Sequence, residues 1–298
     1  MKCALFTVYQ PDGSVADNIR NVARQVDLVY IGDNSDRSHA DMFSPDVCAD
    51  NIRYFAFGEN LGLSRAFNRI LKDSSLPWRE DDYILFFDQD SHIEEGHVEA
   101  MTAQFEAIRE AGLPIGCLGP IYFNTSSGSV EVPIKKRPLS RHVYAVTSII
   151  TSSMLSTYGN LRKAGFWNDD VFLDMADWDL CWRMIDAGML CCLTDAVMLR
   201  HSVGSGEVRV GPMRLRVGAP FREYYQIRDC LYLMGKTYTP LKYRIRFCAM
   251  LLIRSPLHIL CLENGKERMQ YISMGIRDFR KKIKGPLALP KDREEVHS

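Results

Sequence analysis

The chain has 298 residues, 46% hydrophobic and 25% charged, which is ordinary globular usage and excludes a disordered or fibrous protein. Lys plus Arg and Asp plus Glu number 37 each, and this zero balance excludes a nucleic-acid binder that relies on bulk positive charge. The charge is polarised, however: residues 240–298 hold 13 basic and 6 acidic side chains, so an acidic body carries a basic tail suited to an anionic partner.

Residues 3–9 (CALFTVY) are an apolar, β-rich run ending at Pro11-Asp12-Gly13, and read as a buried strand closed by a turn. Val15, Ile19, Val22 and Val26 follow at helical spacing. Residues 27–32 predict a second strand, stopped by Asp33-Asn34-Ser35-Asp36, and residues 52–57 a third. A helix is expected over 63–72. A wholly apolar fourth strand over 83–87 is cut off by Asp88-Gln89-Asp90-Ser91, and a helix follows over 98–110. Further strands are expected over 116–123, 143–155 and 189–201, with helices over 161–167, 177–187 and 221–235. From 241 to 254 the pattern is basic and amphipathic, interrupted at Pro256.

This alternation predicts an α/β fold, Rossmann-like, with a mostly parallel central sheet flanked by helices. Residues 1–235 read as one catalytic domain and 236–298 as a basic helical appendage. Sheets of this kind bind ligands at the carboxyl ends of their strands. The polar residues gather there: Gln10, Asp12, Asp33, Asn34, Asn60, Asp88 and Asp90. Neither Gly-x-x-x-x-Gly-Lys nor a Gly-x-Gly-x-x-Gly after the first strand is present. A nucleotide at these loops would need another charge partner, and a metal held by carboxylates is the candidate. Asp88-x-Asp90 at a strand end suits Mg²⁺ or Mn²⁺, which take oxygen ligands and substrate phosphate; the plainer alternative is a solvated turn.

Nine cysteines, an odd number without any Cys-x-x-Cys pair, read as buried free thiols of a reducing compartment. With no secretory leader pattern and no apolar run of spanning length, the expectation is a cytoplasmic chain.

The ordered motifs resemble inverting glycosyltransferases of family 2, of GT-A fold, and especially their bacterial rhamnosyltransferase branch. The matching segments are Thr7-Val8-Tyr9-Gln10-Pro11-Asp12, Asp33-Asn34-Ser35, Asn60-Leu61-Gly62, Asp88-Gln89-Asp90-Ser91, Thr151-Ser152-Ser153, residues 165–174, Asp177-Trp178-Asp179 through Arg183, His201, and Arg222-Glu223-Tyr224-Tyr225 through Asp229. They run in family order over nearly the whole chain. Gln10, Ala176 and Asp229 depart from the usual residues.

The resemblance implies roles. Thr7, Tyr9 and Asp33 would hold base and ribose, with Asn60 and Arg65 in the same nucleotide-binding set. Asp88 would sit near ribose and metal, and Asp90 and His201 would ligate the metal. Asp177 would be the base that deprotonates the acceptor hydroxyl. Arg222 and Arg228 would neutralise the leaving diphosphate. It implies dTDP-L-rhamnose as donor and a lipid-linked cell-surface polysaccharide as acceptor. A UDP-sugar donor, a non-catalytic scaffold subunit and a nucleotidylyltransferase are the rivals; the last would need a Gly-rich basic loop after the first strand, which residues 9–14 do not supply.

Plainer readings stand beside several of these. Asp177 is equally suited to the first turn of a helix, and His201 to a core. Tyr224 and Tyr225 divide between packing and site. The basic segment 241–285 either lies on an anionic membrane or packs on the domain with a solvated face.

Overall fold

The computed structural model describes residues 1–43, 50–124, 129–131, 136–201, 207–210 and 213–287. In chain order the described strands are β1 (Lys2–Val8), β2 (Leu28–Asp33), β3 (Ile52–Ala56), β4 (Tyr83–Asp88), β5 (Ile115–Asn124), β6 (Ser129–Glu131), β7 (Arg137–Pro138), β8 (Val143–Val146), β9 (Met154–Thr157), β10 (Leu190–His201), β11 (Glu207–Val210) and β12 (Met213–Arg216). The α-helices are α1 (Gly13–Ala23), α2 (Gly62–Leu71), α3 (His97–Glu110), α4 (Tyr158–Lys163), α5 (Ala176–Asp186), α6 (Arg222–Met234), α7 (Leu241–Ala249), α8 (Ser255–Cys261) and α9 (Gly265–Arg280).

Side-chain alternation along β1 builds both faces of the molecule. Cys3 and Leu5 enter one core, shared with α2, α5 and α7; Ala4, Phe6 and Val8 enter the other, shared with α1 and α3. The main sheet runs β3-β2-β1-β4-β9-β5-β10-β8-β7, with β6 beside β5. The expected parallel sheet is present over β3-β2-β1-β4 and in the β5–β10 pair, while β9, β8 and β7 run antiparallel to their neighbours. In register, Thr7 lies level with Gly32 on one side and Asp88 on the other, and Val8 with Asp33. The chain leaves β1 towards β2 and returns on its opposite flank as β4. A crevice therefore opens between the loops after β1 and β4, where open α/β sheets bind ligands.

The single strand expected over 143–155 divides into β8 and β9. Between them Ser153 takes a left-handed backbone (φ 61°) and donates its N–H to Phe86 O at 2.7 Å. This carries the Ser-rich segment to the end of β4. The helix expected over 161–167 starts earlier, because Thr157 caps it through Asn160 N–H, and it ends before Gly165 (φ 80°).

Pro256 does not interrupt the C-terminal helix. Met250–Arg254 widen into a π turn, α8 follows directly, and Ser255 Oγ donates to Met250 O at 3.1 Å. The widened turn absorbs the hydrogen bond that proline cannot donate. Residues after 235 share the core of the body: Tyr243 packs on Trp182 and Trp178 with ring centroids 4.6 and 5.3 Å apart, and Phe247 joins them. Helix α9 lies along α6 at close approach, since a Cβ on Gly275 would stand 2.8 Å from Tyr224 O. Among the described residues no helix is long and apolar enough to cross a membrane.

Candidate active site

Four loops meet at the carboxyl edge of the parallel strands. The loop after β1 is pinned to the loop after β4 by Tyr9 N–H, which donates to Gln89 Oε1 at 2.8 Å, and to the loop after β2 by Gln10 N–H, which donates to Ser35 Oγ at 2.8 Å. Asn34 is buried. Its side chain accepts from Leu61 N–H and donates to Gly62 O, and Asn60 Oδ1 accepts from Gly62 N–H, so Asn60 shapes the start of α2. Gln10 (φ 46°), Ser153 (φ 61°) and Met175 (φ 71°) all adopt left-handed backbone without being glycine, and each borders this crevice. Such strain persists where surrounding structure over-determines it, commonly at functional sites.

Asp33 is fully buried at the end of β2. Its carboxylate accepts from Ser35 N–H, His39 N–H, the His39 ring and the Tyr54 hydroxyl. Burial alone would raise its pKa, but these donors hold it below the usual carboxylate range. Asp33 thus builds the loop over 33–39. Thr7 is half-buried, and Tyr9 is exposed.

Asp88 ends β4 and accepts from Ser152 Oγ at 2.5 Å; its N–H donates to Ser91 Oγ. Asp90, two residues on, is exposed in the turn. Across the crevice Arg222 forms a two-pronged pair with Asp174, at 2.7 and 3.4 Å. The Asp174 and Asp88 charges raise the pKa of that guanidinium further.

Asp177 stands in the first turn of α5, half-buried. Desolvation, then Cys181, Asp88 and Asp174, push its pKa up to about 8, against a hydrogen bond from Trp178 N–H. A carboxyl group poised near neutral pH, with two other carboxylates for neighbours, is a functional signature. Asp179 is different. It is fully buried and accepts from Arg183 Nε at 2.7 Å, Tyr238 OH at 2.7 Å and Asn168 Nδ2 at 3.1 Å. It anchors α5 to the loop before it.

Two arginines assigned to the nucleotide lie elsewhere. Arg228 is buried, donating to Asp229, Tyr224 OH and Gly285 O. Arg65 donates to Asp169 O and packs under the same Gly285. Both brace the segment after α9, which Leu287 N–H also ties to Tyr225 OH. Arg228 Nε and Nη1 are engaged by α6 and the C-terminal segment, while its buried Nη2 has no hydrogen-bond partner among the described residues. Asp229 accepts from Phe172 N–H at 3.0 Å, and Tyr225 stacks on Phe172, so α6 holds the loop that carries Asp174. Tyr224 and Tyr225 are therefore packing residues. The His201 side chain lies outside the described residues.

Asp174 and Ser152 were present in the sequence motifs but carried no assigned role. The pairing of Asp174 with Arg222 spans 48 residues, so local spacing offers no signal for it. For Ser152 the Ser-rich run was the available signal.

Residues 6–129 match the profile of glycosyl transferase family 2. Over those residues the chain is similar to that family. The chain is similar to the dTDP-rhamnosyl transferase RfbF of Shigella flexneri, at 23% identity over 231 residues, covering 74% of this chain and 76% of that protein. In three dimensions it is similar to GalNAc-T7, whose crystal structure holds UDP, GalNAc and Mn²⁺, with a TM-score of 0.54 at 10% identity over 86% of this chain. The chain spans 57% of that structural relative, and the likeness shows the GT-A fold alone.

Proposed function

We propose that this protein is an inverting, metal-dependent glycosyltransferase that moves L-rhamnose from dTDP-L-rhamnose to a lipid-linked cell-surface polysaccharide. The observation that carries the mechanism is Asp177, a carboxyl group with its pKa raised to about 8, opposite Asp88 at the strand end. The similarity to RfbF supports the donor.

The donor atoms suit Mg²⁺ or Mn²⁺. The Asp88 and Asp174 charges contribute to the raised Asp177 pKa, and both also act on Arg222. Among the described residues no three carboxylates bring their oxygens within 4.8 Å of one another. A Mg²⁺-type ion keeps waters and binds through one or two carboxylates plus substrate phosphates. Asp90, with Asp88 behind it, would hold the cation, which when bound supplies charge neutralisation to the leaving diphosphate.

In this reading Thr7 and Tyr9 line the nucleoside side of the crevice. Asp33 and Asn60 act indirectly, by shaping the loops over 33–39 and 60–62. Ser152 keeps the Asp88 carboxylate oriented. Arg222, held by Asp174, faces the diphosphate. In its ionised form, Asp177 takes the proton from the acceptor hydroxyl as it attacks the anomeric carbon on the face opposite the diphosphate, which inverts the centre.

The acceptor's lipid is supported by the surface of α7 and α8. Leu241, Ile245, Leu252 and Leu260 are 72%, 62%, 77% and 80% exposed, while Tyr243 and Phe247 on the same helix are buried. This apolar stripe beside basic residues suits a peripheral position on an anionic membrane.

Calorimetry with dTDP and UDP, each with Mg²⁺ or Mn²⁺, tests the donor and the metal together. The expected result is metal-dependent dTDP binding that Asp90→Ala abolishes without altering the circular dichroism spectrum. UDP binding without dTDP binding overturns the rhamnosyl donor, and equal affinity with and without the metal overturns the cation's role.

A further inference from the structure

Three thiols converge beneath the helix that carries Asp177. Cys117 on β5, Cys191 on β10 and Cys181 on α5 are 0–1% exposed, and their sulfurs all lie within 4.8 Å of one another. Cys191 is the direct neighbour of Cys117 across the β5–β10 ladder, and both face the core that receives α5. Cys181 meets them from the helix, one turn after Asp177. Among the described residues this is the one group of three His, Cys, Asp or Glu side chains so gathered.

Burial would raise the Cys181 thiol, but hydrogen bonds from Cys117 and Cys191, the Ile149 N–H and the nearby Arg183 charge hold it well below its usual value. Cys117 is pushed well above its usual value by hydrogen bonding to Cys181 and by burial, against a hydrogen bond with Cys191, and Cys191 by hydrogen bonding to Cys117 and Cys181 and by burial. Three sulfurs that all lie within 4.8 Å of one another, on three different elements, form a convergent donor set.

We propose that Cys117, Cys181 and Cys191 form a buried binding site for a soft, thiophilic cation of the copper(I) class. Sulfur donors select soft cations, whereas Mg²⁺ and Mn²⁺ prefer oxygen. Structural zinc takes four ligands, and here the described residues bring three. The bonds formed are sulfur to metal. The bonds broken are the S–H bonds of the ligating thiols, whose protons pass to buffer, and no electron is transferred. Filling the site would clip β5, β10 and α5 together under the candidate base. The site is independent of the proposed donor, so it stands or falls separately from the glycosyl transfer reading.

The test uses the full-length chain bearing Cys248→Ser and Cys261→Ser, which removes two exposed thiols. Copper(I) is offered without oxygen as the coloured complex of a competing chelator. The protein should withdraw one equivalent, show a shell of three sulfurs by X-ray absorption and melt at a higher temperature when loaded. Cys117→Ala, Cys181→Ala and Cys191→Ala should each weaken uptake by roughly tenfold or more. Should an alanine variant not fold, alkylation mapping of the parent gives a second measure: copper should protect these three thiols when the loaded protein is unfolded in limiting denaturant. Failure to compete with the chelator, unchanged uptake in the alanine variants, a shell containing nitrogen or oxygen, or alkylation unaffected by copper each overturns the site. Uptake of zinc(II) without copper(I) overturns the three-coordinate assignment.

Discussion

Asp177 keeps its proton near neutral pH because burial and the Asp88 and Asp174 charges oppose its ionisation. The folded protein therefore holds a proton, between about pH 4 and about pH 8, that the unfolded chain releases. The stability linked to this group is complete below the unfolded pKa and is lost as pH rises through the folded one. Asp177→Asn removes that loss, so its melting temperature should exceed the parent's by a margin that widens from about pH 5 to about pH 9. A constant margin would mean the carboxyl group is not perturbed. The same variant should lower transfer by roughly 10²- to 10⁴-fold with little change in donor affinity, the size expected for loss of a general base. Asp179→Asn tests a different role. Its three partners are buried or half-buried, so the variant should lose stability by about 1–3 kcal/mol in chemical denaturation while the surviving folded protein still binds donor. A fully stable but inactive Asp179→Asn would exchange the two assignments. The acids themselves were legible because they sit at strand ends and helix starts in a recognisable order. Which of the two is open and which is spent was not legible, since Tyr238 and Asn168 reach Asp179 across 59 and 11 residues.

Elements, rather than side chains, position the crevice, and glycine decides one of their junctions. Gly62 begins α2 with φ 76°, and a Cβ there would lie 2.5 Å from Phe172 O, whose carbonyl accepts from Leu63 N–H. Gly62→Ala adds both left-handed strain and a backbone clash, and should cost roughly 2 kcal/mol or more, seen as a lower denaturation midpoint. It should also weaken donor binding, because the loop carrying Asp174 must shift away from α2. An unchanged midpoint would mean that the two loops are not rigidly joined. The βαβ part of the fold was readable from apolar runs and their polar stops, and strands β1 to β4 fall where expected. The second half was harder. A continuous apolar–polar pattern over 143–155 conceals a chain reversal, because the break comes from a left-handed Ser153 that no glycine or proline announces. The helix through Pro256 was missed for a similar reason: a π turn upstream absorbs the lost hydrogen bond, and proline spacing alone does not reveal it. The three-thiol cluster belongs to the same class, since it forms only when β5, α5 and β10 come together.

At the scale of the molecule, two features of the C-terminal region act in one direction. Residues 241–285 hold 11 basic and 3 acidic side chains. Helix α7 buries Tyr243 and Phe247 against Trp178 and Trp182, yet presents Leu241 and Ile245 outward, and the helical path continues the exposed stripe through Leu252 and Leu260. The sequence pattern left two possibilities, a helix packed on the domain or one lying on lipid; the geometry permits both at once, because opposite faces serve each. Burying one exposed leucine in a bilayer interface would contribute up to about 1.5–3 kcal/mol, and each basic residue near an anionic surface about 1 kcal/mol, less as salt rises. The protein should therefore sediment with vesicles containing anionic phosphatidylglycerol, weakly with neutral ones, and less above physiological salt. Ile245→Asp combined with Leu252→Asp should leave the protein in the supernatant. Neither side chain borders Asp88 or Asp177, so nucleotide affinity in solution should not change. Equal recovery in the supernatant with neutral and anionic vesicles would remove lipid as the occupant of this face. Gel filtration would then decide whether a second copy of the chain covers the stripe, since self-association abolished by the same two substitutions leaves a protein partner as the reason for its exposure.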